Sequence, residues 1–232
     1  MRKDRIFYLS ERLYCCTKFI NSDHIADVGT DHAKLPIWLV LNSKIKSAIA
    51  SDINVCSVEK ARRNIKKYNL ENSIEPLLSD GFENIDEDKV DEVVISGLGG
   101  NTISEILGKC SWKNKKSKRF ILQPCTHHYN LRKFLVNNGY KILKEEALIE
   151  NNKAYSVFLT IFEEINEKYD DLYFFLGEVL NSSNNFYSKY YLEYQIKEIK
   201  KKINGCRVKS NIKNLIFYEN ILRKLENKRM II

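Results

Sequence analysis

In this 232-residue chain, carboxylates and small residues recur at the ends of short apolar runs. Asp27 with Gly29, Asp52, Asp80-Gly81, Ser96-Gly97 and Gln123-Pro124 each close one of them. Carboxylates so placed accept from hydroxyl and amino donors, and a glycine at the bend lets a ligand approach the backbone. The first run, residues 24–36, reads His-Ile-Ala-Asp-Val-Gly-Thr-Asp-His-Ala-Lys-Leu-Pro, a strand turning sharply into a helix whose N-terminus offers free N–H groups. A dinucleotide fingerprint would need Gly at positions 31 and 34, where Asp31 and Lys34 stand, so NAD is disfavoured. Asp27 and Asp31 would also repel a pyrophosphate. They suit a ligand carrying a sulfonium, an amino group and a ribose diol, which describes S-adenosylmethionine. Asp52 follows Asp27 by 25 residues, close to where an acidic residue takes a ribose diol. Asp80 is placed to accept from an adenine amino group.

These residues need a scaffold, and the pattern supplies one. Residues 8–19 predict a lead-in helix with Leu9, Leu13 and Phe19 on its apolar side. Strands are expected over 24–28, 47–52, 73–79, 90–96 and 120–123, and residues 55–70 form an amphipathic helix with Val58, Ala61, Ile65 and Tyr68 at helical spacing. Further helices begin near Ile103 and run through Leu131, Phe134 and Leu135. Residues 140–149 and 154–162 alternate on either side of Glu150-Asn-Asn-Lys153, an antiparallel hairpin. The fold class is therefore α/β, a seven-stranded, mostly parallel sheet with an antiparallel edge. Beyond Glu163 the pattern is helix only. Leu192, Ile196, Ile199 and Ile203 recur at helical spacing, Gly205 is expected to break the run, and Leu215, Tyr218, Leu222 and Leu225 resume it as a helical hairpin. The chain thus divides into residues 1–163 and 164–232.

Charge is uneven along the second part. The net charge is +8, and from residue 186 onward there are 12 Lys and Arg against 4 Glu and no Asp, while residues 1–185 balance at 26 against 26. A basic tail on a neutral body points to a polyanionic partner, the plain alternative being solvated helix faces. Six cysteines without Cys-x-x-Cys spacing read as free thiols of a reducing cytoplasm. No apolar run approaches the ~18 to 20 residues of a membrane span, and Met1-Arg2-Lys3-Asp4-Arg5 opens a segment too polar for a secretory signal. His127-His128 lacks partners at ligand spacing, so no metal is expected. A monomer is expected rather than a dimer.

Taken together, Arg12-Leu13, Asp27-Val-Gly-Thr-Asp-His-Ala33 with Leu35-Pro36, Asp80-Gly81, Ser96-Gly-Leu-Gly-Gly100, Gln123-Pro124, Leu131-Arg132 and the helical tail resemble a known family. It is the bacterial class I methyltransferases that use S-adenosylmethionine to methylate N1 of adenine 22 in tRNA. The resemblance covers nearly the whole chain. It implies a Rossmann-like methyltransferase domain, a C-terminal coiled-coil domain and tRNA as substrate. On this reading the cofactor is held by Arg12, Asp27, Gly29, Thr30, His32, Asp52, Ile53, Asp80, Gly81 and Gly97. Asp31 and Ser96 are the catalytic candidates. The substrate meets Gly99, Gly100, Gln123, Pro124, Arg132 and the tail cations Lys197, Lys200, Lys201 and Arg207. Leu98 stands where the family usually has Met, and Cys125 where Asn follows Gln-Pro, so position 125 is left out of the site.

N1 of neutral adenine has its own lone pair, so positioning supplies most of the acceleration, about 7 kcal/mol or more in well-aligned cases. Asp31 would accept from the N6 amino group as charge develops on the ring, with His32 either orienting it or holding the methionine carboxylate. The plain alternative is that Asp31 caps the helix beginning near Ala33 and His32 bonds backbone. Residues 97–100 stand where adenine-N6 enzymes carry Asn or Asp followed by Pro-Pro-aromatic, and their small size leaves room for a flipped base. Two rivals remain: a methyltransferase acting on a small molecule or protein, and a non-catalytic RNA-binding protein on a methyltransferase scaffold.

Overall fold

The computed structural model describes residues 8–114, 118–163 and 168–231. The opening Met1 to Arg5 and the start of the second unit at residues 164–167 lie outside the described residues. Helix α1 (Glu11–Thr17) is shorter than expected because Ser10 caps it, its hydroxyl accepting from the Leu13 N–H. Then follow β1 (His24–Val28), α2 (Lys34–Leu41), β2 (Ser47–Asp52), α3 (Val55–Lys67) and β3 (Ile74–Leu78). β4 (Glu92–Gly99), α4 (Gly100–Gly108), β5 (Arg119–Thr126) and α5 (His128–Asn137) complete the alternation, and β6 (Tyr140–Glu150) and β7 (Lys153–Phe162) close the sheet.

The strand order is β3-β2-β1-β4-β5-β7-β6. β1 pairs in parallel with both β2 and β4, so the chain reverses direction across the sheet at β1 and β4. In an open parallel sheet such a switch point leaves a crevice beyond the carboxyl ends of the strands. β7 inserts antiparallel between β5 and β6. The hairpin turn is Asn151-Asn152, both at positive φ (51° and 58°), the geometry that matches strand twist and that Asn tolerates. Ala26, Val93, Ile95, Phe120 and Leu122 face one apolar layer, and Ile25, Ala48, Ala50, Val94 and Ile121 face the other. Burial on both faces is why these strands are almost continuously apolar.

The helical unit comprises α6 (Asp171–Leu176), α7 (Asn185–Val208) and α8 (Ile212–Arg229). Leu192, Ile196, Ile199 and Ile203 of α7 meet Ile221 and Leu225 of α8. Gly205 does not break α7, which runs on to Val208. The turn is made by Ser210 at φ 52° and by Asn211, whose side chain caps α8. A single Gly inside a helix costs only about 1 kcal/mol, less than the packing on either side supplies. Ion pairs Lys200–Glu226 (3.0 Å) and Arg207–Glu219 (2.9 Å) join the two helices in antiparallel register. The amino-terminal part of α7 does not stand apart from the sheet: Tyr191 packs with Ala147 and Ala154 of the β6–β7 hairpin.

Candidate active site

The crevice at the switch point begins with the turn after β1. Gly29 adopts φ 82°, and its N–H and that of Thr30 both donate to the Ser51 carbonyl (2.8 and 2.9 Å), pinning the turn to the end of β2. A Cβ at Gly29 would lie 3.2 Å from the Leu98 side chain, so glycine also admits β4. Thr30 Oγ1 donates to Asp27 Oδ2 at 2.6 Å. Burial pushes the Asp27 carboxyl up to about 6, the Thr30 bond opposing and the Asp52 charge adding to the rise.

Asp31 has φ 45° and donates its N–H to Asp52 Oδ2 at 3.2 Å, while Asp52 Oδ1 accepts from the Asn54 N–H at 2.8 Å. The β1 and β2 ends are thereby held together by one carboxylate. The Asp31 side chain meets His32 Nε2 at 3.0 Å, Ser57 Oγ at 3.2 Å and Lys60 Nζ at 3.7 Å. It does not cap α2, whose capping position is Ala33 with no side-chain bond, so the plain alternative for Asp31 is removed. The His32 carbonyl, not its ring, bonds Asn64 Nδ2 (3.0 Å).

On the other side, β4 bulges against β5, the register shifting between Ser96 and Leu98 and again at Gly99. Gly97 sits in the bulge at φ 81°, and nothing lies within 4 Å of the position its Cβ would take. Gln123, buried, accepts the Gly97 N–H through Oε1 at 3.1 Å and donates from Nε2 to the Pro124 carbonyl at 2.8 Å. Arg12 of α1 forms the third wall. It donates to Glu150 Oε2 (2.5 Å) and Cys125 Sγ (2.7 Å) and lies over the Tyr155 ring at 5.1 Å. Burial raises the Cys125 thiol, with the Arg12 charge opposing.

These elements enclose a cleft of about 690 Å³. Arg12, Asp27, Gly29, Thr30, Asp31, His32, Asp52, Ser96, Gly97 and Gln123, ten of the residues singled out from sequence, line it. A second cavity, of about 640 Å³, lies at the opposite ends of β1 to β3 and contains none of them. Acceptors at two strand ends, a glycine wall open to the cleft and a buried carboxylate fit a ligand with a ribose diol and a positive charge. Among the described residues no group of three His, Cys, Asp or Glu side chains is placed to hold a metal.

Residues 9–158 match the methyltransferase domain family. The tRNA (adenine(22)-N(1))-methyltransferase of Bacillus subtilis (strain 168) is 34% identical over 165 residues, 71% of this chain and 69% of the relative. The chain belongs to that family. Among solved structures, TrmK of M. capricolum in complex with S-adenosyl-homocysteine superposes with a TM-score of 0.78 at 32% identity, covering 97% of this chain and 99% of that one. A Streptococcus pneumoniae protein in complex with S-adenosyl-L-methionine gives 0.77 at 26% identity, covering 96% and 100%. The Rossmann-like class expected from the sequence is therefore shown, with all seven strands.

Several residues expected at the methyltransferase site lie outside the cleft walls. Ile53 is exposed beside Asp52, and Asp80 pairs with Lys109 Nζ at 2.8 Å at the end of β3. Gly81 has φ 58° and packs towards Ile106. Gly99 caps α4, and Pro124 is buried in β5 beside Leu98. Gly100 is a correction: a Cβ there would stand 2.5 Å from the His127 carbonyl oxygen, so its smallness serves backbone packing rather than a base. Arg132 is a second correction. Its side chain is fully buried, held by Glu145 and by carbonyls of α6, and cannot touch substrate.

Of the tail cations, Lys200 and Arg207 pair with α8 glutamates and Lys201 with Glu198 (2.6 Å). Lys197 lines a shallow groove with Lys200, Lys201 and Arg229. Arg207 lies in the last turn of α7. His128 opens α5 as a half-buried neutral ring, pushed down to about 3 by loss of solvent and by the Arg132 and His127 charges. Sequence reasoning missed Glu150, Ser57 and Lys60 and set Cys125 aside. Their contacts span 138, 26, 29 and 113 positions, and no local pattern signals a pairing at such separations.

Proposed function

We propose that this chain methylates N1 of adenine 22 in tRNA, with S-adenosylmethionine as methyl donor. One observation carries the cofactor half: Asp52 stands at the end of β2 with both oxygens oriented by backbone N–H groups, across a cleft from the open Gly97 wall. Bound there, the cofactor supplies an electrophilic methyl on a positively charged sulfur. Asp52 accepts from the ribose diol, Asp27 and Thr30 face the amino-acid end, and Ile53 covers the adenine face while Asp80 and Gly81 lie at its edge. Gly29 lets the ligand pass close to the turn.

The acceptor adenine enters over Ser96 and Gly97, with Gln123 and Pro124 behind the bulge and Gly99 at its end. Its N1 lone pair would form the new N–CH3 bond as the S–CH3 bond breaks, the neutral thioether S-adenosyl-homocysteine leaving and the positive charge passing to the ring, without prior deprotonation, so the residues orient and exclude water rather than activate a nucleophile. Asp31 takes a hydrogen bond from the N6 amino group, and His32, in contact with its carboxylate, fixes its direction. Arg12, already paired with Glu150, closes the α1 side.

The two parts divide the labour. Residues 1–163 hold the cofactor, and residues 164–232 bring tRNA phosphates against Lys197, Lys200, Lys201 and Arg207. A small-molecule or protein methyltransferase would have no use for a net charge of +8 gathered in residues 186–232, and a non-catalytic scaffold would not need the acidic strand ends. No helix among the described residues is long and apolar enough to cross a membrane. The chain acts as a cytoplasmic monomer on this reading. Calorimetric titration with S-adenosylmethionine, followed by mass mapping of methylated nucleosides in tRNA, tests it. A protein that binds no cofactor, or leaves adenine 22 unmethylated, ends the proposal.

A further inference from the structure

Arg132 is among the largest fully buried side chains of the protein. All five of its N–H donors are used. Nη1 donates to the Phe174 and Phe175 carbonyls at 2.9 and 3.0 Å, Nη2 to Glu145 Oε1 at 2.5 Å and Tyr191 Oη at 2.9 Å, and Nε to Glu145 Oε2 at 3.3 Å. The guanidinium also lies over the Phe158 and Tyr191 rings at 5.2 and 5.7 Å. Glu145 in turn accepts the Glu178 N–H at 3.1 Å. Gly177, at φ 55°, passes so close that a Cβ would collide with both charged groups.

These partners come from two sides. Arg132 and Glu145 belong to α5 and β6 of the sheet unit, whereas Phe174, Phe175, Gly177, Glu178 and Tyr191 belong to α6, the segment after it and α7. An ion pair taken wholly out of water is rarely more stabilising than apolar residues of the same volume, because desolvation offsets the attraction. What it supplies is direction: a planar fork satisfied at five points admits one orientation. The other end of α5 reaches the cleft, since the Thr126 and His127 carbonyls that precede it pack on Gly100, directly after the Ser96 to Gly99 bulge.

We infer that Arg132 and Glu145 are positioning residues that fix the angle between the basic α7–α8 hairpin and the cleft, so that RNA held by the hairpin presents its adenine to Ser96 and Gly97. The inference rests on the tRNA reading. Neither residue touches cofactor or substrate. Their effect is exerted through α5, α6 and Tyr191.

Two variants of the full chain test this. Arg132→Lys keeps the charge but cannot fill the fork. Arg132→Met with Glu145→Gln leaves no unpaired buried charge and keeps an acceptor for the Glu178 N–H. Each is compared with the parent for its thermal melt, its affinity for S-adenosyl-homocysteine, and kcat and KM on tRNA, with kcat counted per S-adenosyl-homocysteine-binding site. The expected result is a cooperative melt, unchanged affinity for S-adenosyl-homocysteine and a kcat about 10- to 100-fold lower, the usual effect of ångström-scale misplacement. A purely structural role would lower the melting temperature without moving kcat per binding site. Parent-like kcat in both variants overturns the inference, and so does loss of S-adenosyl-homocysteine binding in both, which would make the pair a general stability element. A parent protein that does not methylate tRNA would instead end the functional reading.

Discussion

Gln123 Oε1 accepts the Gly97 N–H across 3.1 Å, and this bond joins β5 to the bulge of β4 where the cleft is open. The other end of the same amide is occupied by the Pro124 carbonyl, so the side chain cannot turn toward a ligand without leaving a backbone group unpaired. Gln123 shapes the wall that a base would meet.

Gln123→Leu should therefore leave the Gly97 N–H without its acceptor and cost about 1 to 3 kcal/mol of stability. The same change should lower turnover on tRNA more than it weakens cofactor binding. Chemical denaturation and steady-state kinetics read the two effects, and a variant with reduced stability but parental turnover would detach Gln123 from the site.

Asp52→Ala should weaken S-adenosylmethionine binding by about 10- to 100-fold while tRNA affinity is retained, because a lost hydrogen bond to a charged acceptor is worth about 1.5 to 3 kcal/mol. Asp31→Ala should do the reverse, lowering turnover with a modest change in cofactor affinity. Calorimetry with the cofactor beside single-turnover rates distinguishes them. Equal cofactor affinity in Asp52→Ala and the parent would remove Asp52 from the ribose position.

Asp27 makes the cofactor affinity pH-dependent. Its carboxyl titrates at about 6 in the free protein, so below that pH it is neutral, and a cationic ligand, which favours the charged form, must displace the proton. Affinity should be level above pH 7 and fall as pH drops through 6, with proton release measurable by titration in buffers of different ionisation enthalpy. For stability the sign is opposite. A carboxyl raised from its ordinary 3.8 favours the folded state below about pH 4 and loses that contribution, about 3 kcal/mol, as pH rises through 6. Asp27→Asn should abolish both dependences, and a flat profile in the parent would contradict the assignment.

Lys197 has no carboxylate partner among the described residues, unlike Lys200, Lys201 and Arg207. If tRNA phosphates meet this groove, Lys197→Ala should lower tRNA affinity and reduce the salt slope by close to one unit, by analogy with the ~0.9 per phosphate of B-DNA. Binding measured across a salt series checks this. An unchanged slope places the RNA elsewhere on the tail.

Truncation is a poorer probe of the tail than point substitution. Removing residues after Glu163 would strip Phe174, Phe175 and Tyr191 from Arg132 and expose a buried ion pair, so loss of RNA binding would be confounded with unfolding.

The order of elements and the cleft residues were legible in the sequence because both depend on local patterns. Continuous apolar runs marked strands buried on both faces, Asn151-Asn152 marked the hairpin, and carboxylates or glycines at run ends fell at one edge once the strands lay parallel. Other features depended on groups distant in the chain. For Asp31 a helix cap stood as the plain alternative until Ala33 was seen at that place, and Gly205 read as a break until the packing of α7 on α8 carried the helix through it. Gly100 looked like room for a base, but the space belongs to the His127 carbonyl. Arg132 was expected to meet substrate and Glu145 drew no expectation, since a sequence cannot show the partners that offset the desolvation of a buried charge. Only the tertiary structure brought α6, α7 and β6 around that guanidinium, because five hydrogen-bond acceptors drawn from three segments of chain converge nowhere but in the folded protein.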